Sequence, residues 1–187
     1  MHALAHHPAA ATYQDLLAVP DTMLAQIIDG ELHALPRPAS PHANTSSALG
    51  GELWGPFRMG RGGPGGWWIL DEPELHLGPD VLVPDLAGWR REQMPTLPRV
   101  PHFTQAPDWI CEVLSSSTLR IDRLKKLHIY AREGVSHVWL VDPDQQTLEV
   151  YALRNGLYAY LGGHSGEDKV RAEPFDAVEL DLSGWWI

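Results

Sequence analysis

The stretch from Pro107 to Pro143 constrains the fold more than any other part of the chain. Trp109-Ile110-Cys111-Glu112-Val113-Leu114 is short and apolar with polar residues at both ends, which predicts a strand. Ser115-Ser116-Ser117-Thr118 follows as a turn and supplies a helix N-cap at Ser117 or Thr118. The spacing then predicts a helix over 119–133, with Ile121, Leu124, Leu127 and Ala131 on its apolar face and Gly134 as its stop. Val135 to Val141 returns as a buried strand ending at Asp142-Pro143. Strand, helix, strand in this order is a βαβ-like unit.

The flanking segments read as hairpins and short helices. Thr12 to Val19 is a short helix stopped by Pro20, and Ile27 to Leu32 turns through Asp29-Gly30, a pair suited to the positive φ of a type I′ turn. Ala43 to Phe57 has helical spacing. Trp67 to Leu70, Glu74 to Leu77 and Val81 to Trp89 read as strands, with Pro84 marking an edge position or a bulge in the last. Met94 to Pro107 carries four prolines and is a loop. Thr147 to Leu153 and Leu157 to Leu161 form a hairpin around Asn155-Gly156, and Val178 to Leu182 is a final strand. The sum is an α/β or α+β fold, a mixed sheet with helices packed on it. Residues 1–11 are expected to be disordered and 12–187 to form one domain, which suits a chain of 187 residues.

No apolar run approaches the roughly 18 residues of a membrane helix, and the start of the chain lacks the pattern of a signal peptide. A cytoplasmic location is the expectation. The single Cys111 excludes an intrachain disulfide and a cysteine-rich zinc site. The formal net charge of −10 argues against a broadly basic nucleic-acid surface. The cations are clustered, however: Arg90, Arg91 and Arg99 in one segment, Arg120, Arg123, Lys125, Lys126 and Arg132 in another. A locally basic cleft and a solvated helix face both fit that pattern.

Glu112 is the most informative side chain. It shares a strand face with Ile110 and Leu114, where an ionised carboxylate is costly unless it is paired or holds a metal. Asp85, after Pro84, could be a turn carboxylate. Beside Glu112 on a neighbouring strand it makes a hard-oxygen site suited to Mg²⁺ or Mn²⁺, with Glu74 as a third carboxylate. Two facing carboxylates repel, so at least one should titrate above its ordinary range, offset in part by a nearby lysine. Asp122, Lys126 and Tyr130 fall at i, i+4 and i+8, a stripe beside the apolar face of the helix. Lys126 is either an exposed partner of Asp122 or a cation at the Glu112 site. Lys125 points about 100° away and should face solvent. On this reading Lys126→Met leaves folding intact.

These motifs together resemble the Uma-two family of restriction endonucleases with a PD-(D/E)XK core. The resemblance rests on Val83-Pro84-Asp85, on Pro107 to Thr118 around Glu112, on the Asp122-Lys126-Tyr130 stripe, and on Gly134 to Pro143. Upstream, Ile27 to Leu32 with Pro36, Pro38 and His42 also fits. It implies a restriction-endonuclease-like core and a metal site with Asp85 and Glu112 as the motif acids. The usual E-x-K lysine position holds Leu114, so the resemblance places Lys126 in that role. Position 26 is Gln where the family more often has Glu, and for His42 both a structural hydrogen bond and catalysis stay open. The implied activity is Mg²⁺- or Mn²⁺-dependent hydrolysis of nucleic acid, DNA in the first instance, by a homodimer. A catalytically silent domain used for protein contacts, supported by exposed-looking Trp185 and Trp186, is the alternative from another class. A hydrolase of a small phosphodiester is the third.

Overall fold

The computed structural model describes residues 10–187. A six-stranded mixed sheet forms its centre, in the order β10-β9-β8-β7-β6-β3. Its strands are β3 (Trp67–Asp71), β6 (Leu86–Arg90), β7 (Trp109–Val113), β8 (His137–Asp142), β9 (Thr147–Arg154) and β10 (Leu157–Ser165). The pair β7–β8 is parallel and the others are antiparallel. A four-stranded sheet, β2-β1-β5-β4, packs beside it. It comprises β1 (Met23–Ile28), β2 (Glu31–Pro36), β4 (Leu75–Leu77) and β5 (Asp80–Leu82), and a short helix α1 (Tyr13–Leu17) precedes β1. Asp29 and Gly30 adopt positive φ in the β1–β2 turn, as do Asn155 and Gly156 between β9 and β10.

The strand alternation of β7 sorts two cores. Trp109, Cys111 and Val113 face a cluster that includes Leu49, Leu53 and Phe57 around helix α2 (Ser40–Leu53), closed by Phe175 and Trp185. Ile110 and Leu114 face the opposite cluster with Leu75, Leu77, Leu82, Ile129 and Tyr130. Glu112 projects with this second set. The fold is therefore the expected mixed sheet flanked by helices.

Four elements differ from the sequence expectation. Val81 to Trp89 is not one strand: β5 and β6 belong to different sheets, and the chain changes sheet at Val83-Pro84-Asp85. Pro84 has no N–H for a ladder. The Val83 N–H instead donates to the Gln26 side chain at 2.9 Å, and Glu72 donates to the Asp85 carbonyl at 3.0 Å. The 119–133 helix is continuous but composite: α3 (Leu119–Ile121), a π-helical turn Asp122–Lys126, and α4 (Leu127–Arg132). Thr118 is its N-cap and Gly134, at φ +80°, follows its end. Its buried face is only partly the predicted one: Ile121 and Leu127 pack at the edge of the core, and the rest of the face is shifted. Leu124 is 66% exposed, whereas Asp122, Lys126, Ile129 and Tyr130 are buried. Exposing a leucine costs about 1.5–3 kcal/mol, less than leaving Glu112 as a lone buried charge, so the polar stripe turns inward.

At the C-terminus, β12 is only Leu180–Asp181, paired with an unpredicted β11 (Lys169–Val170). Trp185 is buried, donating to Glu52 at 2.6 Å, and Trp186 is partly buried. The exposed tryptophans expected there are absent, because the C-terminal segment folds back over α2. Of the segment expected to be disordered, residues 1–9 lie outside the described residues, while Ala11 donates to the Gly30 carbonyl at 2.8 Å. No described helix is long and apolar enough to cross a membrane.

Candidate active site

The ladder of β6 against β7 pairs Leu86 with Cys111 and Ala87 with Ile110, and Asp85 is the residue that enters β6 just beyond it. Asp85 and Glu112 both line one cavity. The Val113 N–H donates to Asp85 Oδ2 at 2.7 Å, and His42 Nε2 lies 3.1 Å from Oδ1. His42 comes from the first turn of α2, whose helical start is favoured by Pro41. Burial works against a charge on His42, but the hydrogen bond to Asp85 and its field, with the Val113 backbone, outweigh it and raise its pKa.

Glu112 is held from the helix side. Lys126 Nζ donates to its two oxygens at 3.1 and 3.0 Å, and the Tyr130 hydroxyl donates to Oε1. Lys126 Nζ is also 3.1 Å from Asp122 Oδ1, which lies within ion-pair reach but without hydrogen-bond geometry. Burial pushes the Glu112 carboxyl above its usual range; Lys126 opposes this, Asp122 and Asp85 add to it, and the Tyr130 hydrogen bond opposes it. Burial works against the Lys126 ammonium too, but Glu112, Asp122 and Asp85 together hold its pKa above the ordinary lysine value. Taken separately, the two shifts conflict, since one favours a neutral acid and the other a charged pair. The geometry favours the charged pair: Lys126 Nζ donates to both Glu112 oxygens, so a proton on either one would face the ammonium. Glu112 is thus one half of a buried pair with Lys126, and burial displaces its proton uptake upward.

These groups line a cavity of about 250 Å³ with His42, Gln26 and the turn from Ser115 to Thr118. The donor set suits a hard divalent cation. Two carboxylates offer oxygen, and the cavity leaves room for the waters such an ion keeps. Asp122 Oδ1, buried on the cavity wall without a hydrogen-bond partner, adds an unsatisfied acceptor. The three acids do not converge as a closed three-ligand set, so water and a phosphate oxygen would complete the shell.

Asp85, Glu112 and Lys126 thus come together, and Glu74 does not join them. Its carboxylate accepts from Tyr13 at 2.8 Å and meets His76 at 2.7 Å, outside the lining of this cavity. The split of the two sheets at Pro84 sends β4 and β6 apart. Lys125 reaches instead to Glu31 at 2.6 Å. Sequence reasoning missed Gln26 as the clamp that sets the chain entering Asp85, and took Asp122 only as a partner of Lys126. The i, i+4, i+8 stripe was the available signal for Asp122 and Tyr130; a cross-sheet bond such as Gln26 to Val83 leaves none.

The basic clusters do not make one basic cleft. Arg123 forms a two-pronged pair with Glu149 at 2.8 and 2.7 Å, and Arg132 pairs with buried Asp80 at 2.7 Å. With Lys125 on Glu31 and Lys126 buried, that cluster is largely neutralised. Arg58, Arg90 and Arg91 instead lie over Trp54, Trp67 and Trp68, with guanidinium-to-ring distances from 4.1 to 5.0 Å, along the β3 edge.

Residues 10–183 match the family described as "Uma2: Putative restriction endonuclease". The chain belongs to the Uma2 family. It is also similar to a solved structure described as "a putative nuclease belonging to DUF820 from Anabaena variabilis ATCC 29413", with a TM-score of 0.73 and 22% identity over 94% of this chain and 98% of that one. At that identity the likeness speaks for the fold. No curated protein matches the chain. Within the Uma2 frame, Leu114 stands two residues after Glu112 where an E-x-K lysine would stand, and Lys126 supplies the ammonium beside that acid.

Proposed function

We propose that this protein is a divalent-metal-dependent endonuclease that cuts DNA as a homodimer, using Mg²⁺ or Mn²⁺. The observation that carries the reading is the meeting of Asp85 and Glu112 in one cavity, with Lys126 bonded to Glu112, in a chain of the Uma2 family. Asp85 and Glu112 would hold the ion, which when bound polarises the scissile phosphate and lowers the pKa of a water. His42 fixes the Asp85 carboxylate and Tyr130 fixes Glu112, so neither acid has to be ordered when substrate arrives. Lys126 offers an ammonium for charge that develops on the phosphate. One site per chain calls for two copies to cut both strands. The edge strand β10, Leu157 to Ser165, carries no charged residue that would discourage pairing between copies.

The test is a cleavage assay on plasmid, single-stranded DNA and RNA with Mg²⁺ and with Mn²⁺, beside Asp85→Ala. DNA cleavage that needs metal and disappears in the variant supports the reading. Metal-independent activity, or equal activity in Asp85→Ala, refutes it. The silent-domain reading has one specific support: the acids of this site are already engaged by Lys126, His42 and Tyr130. A chain of that kind would bind Mn²⁺ weakly or not at all.

A further inference from the structure

We propose that Glu74, His76 and His102 form a second metal site, separate from the Asp85–Glu112 cavity and suited to Zn²⁺ rather than Mg²⁺. Among the described residues, this is the group of three whose ligand atoms all lie within 4.8 Å of one another. His76 Nε2 is 2.7 Å from Glu74 Oε1, and His102 Nδ1 is 4.0 Å from the same oxygen. Tetrahedral zinc, with bonds of about 2.0–2.1 Å, places its ligand atoms roughly 3.3 Å apart. The two observed separations bracket that value.

Three further features favour a metal. His102 Nδ1 is shielded from solvent and has no hydrogen-bond partner, so a buried lone pair or N–H is left unsatisfied. The backbone holds the three residues in place. Phe103 N–H donates to the Glu74 carbonyl at 2.9 Å, and His76 N–H donates to the Phe103 carbonyl at 2.8 Å. His102 therefore sits beside β4 by main-chain pairing, independent of its own side chain. The donor set itself, two imidazoles and one carboxylate, is borderline-soft and selects zinc-like ions over Mg²⁺. The Tyr13 hydroxyl bonds Glu74 at 2.8 Å and orients it from outside the set.

In this structure the His76 and His102 rings stack, 3.8 Å apart and 13° from parallel. Both lone pairs cannot then meet at one point, so binding turns one ring about its Cβ–Cγ bond and breaks the stack. The consequence of binding is a clip. The ion joins β4 to the proline-rich segment between Met94 and Pro107, adding a side-chain link to the Phe103–Leu75 bridge and to the packing of Phe103 on Trp89.

The experiment is a Zn²⁺ titration by calorimetry and by thermal unfolding. It uses the full chain carrying His2→Ala, His6→Ala and His7→Ala, so that the amino-terminal histidines hold no zinc. Titrations run with Asp85 intact and with Asp85→Ala, which separates this site from the nuclease reading. The expected result is one Zn²⁺ per chain in both backgrounds, with a Kd of about 1 µM or tighter. At hundredfold excess over that Kd the melting temperature rises by about 4 °C or more. His102→Ala, a change at a half-exposed position, weakens binding at least about tenfold and abolishes the thermal shift. Unchanged zinc affinity in His102→Ala, or no stoichiometric zinc with Asp85 intact, overturns the proposal. Loss of zinc only in Asp85→Ala assigns the ion to the other cavity and overturns it equally.

Discussion

Replacing Lys126 by methionine keeps most of the aliphatic stem and removes the ammonium. From sequence alone the residue looked removable without a folding cost. Its burial changes that expectation, because the Lys126 and Glu112 side chains are 4% and 3% exposed. Removing one partner of a buried ion pair costs about 3–5 kcal/mol. The structure offers a second route to the magnitude. Without the ammonium, Glu112 escapes isolation by taking a proton at pH 7. Moving a carboxyl from an ordinary pKa of about 4.3 to above about 7 costs about 4 kcal/mol. The two figures agree. The sign of the pH dependence follows: a carboxyl raised in the folded state contributes stability at low pH and loses it as pH rises towards the folded pKa. The penalty of Lys126→Met should therefore shrink as pH falls and Glu112 takes its proton in the unvaried protein as well, where its uptake is already displaced upward. Urea unfolding followed by tryptophan fluorescence measures it, with Glu112→Gln and the double variant completing a cycle. The double variant should cost clearly less than the sum of the singles. A penalty below about 1 kcal/mol at neutral pH, with no pH dependence and no coupling, would refute the buried-pair reasoning. In folded Lys126→Met protein, turnover should still fall by about a hundredfold or more.

Two further outcomes follow from the same geometry. Glu112 must be unprotonated to hold a cation, and its proton uptake is displaced upward, so Mn²⁺ affinity should fall as pH is lowered from about 8 to about 6, with proton release on binding; calorimetry in buffers of different ionisation enthalpy checks both, and a pH-independent affinity would count against Glu112 as a ligand. Lys125→Met loses a partly exposed pair with Glu31, so stability should change by less than about 1 kcal/mol and turnover only modestly, and abolished activity would mean that the ammonium of the reaction comes from the wrong side of the helix.

The local code of this chain was written plainly in places. Asp29-Gly30 and Asn155-Gly156 specified their turns because positive φ is a property of those residues. Trp109 to Val113 specified a strand buried on both faces, and its alternation alone put Glu112 with Ile110 and Leu114. The i, i+4, i+8 spacing brought Asp122, Lys126 and Tyr130 to one face whatever that face met. What that face met was a tertiary matter. Leu124 lost its place in the core to Lys126 because Glu112 waited on the neighbouring strand, and no helical period records a partner on another element. Pro84 announced an irregularity but not its outcome, the passage from one sheet to another that brings Asp85 to the cavity of Glu112 and leaves Glu74 with His76 and His102. Side-chain identity determines torsions and periodicity within a segment. Only the packing of two sheets against one helix decided which carboxylates would meet the Lys126 ammonium.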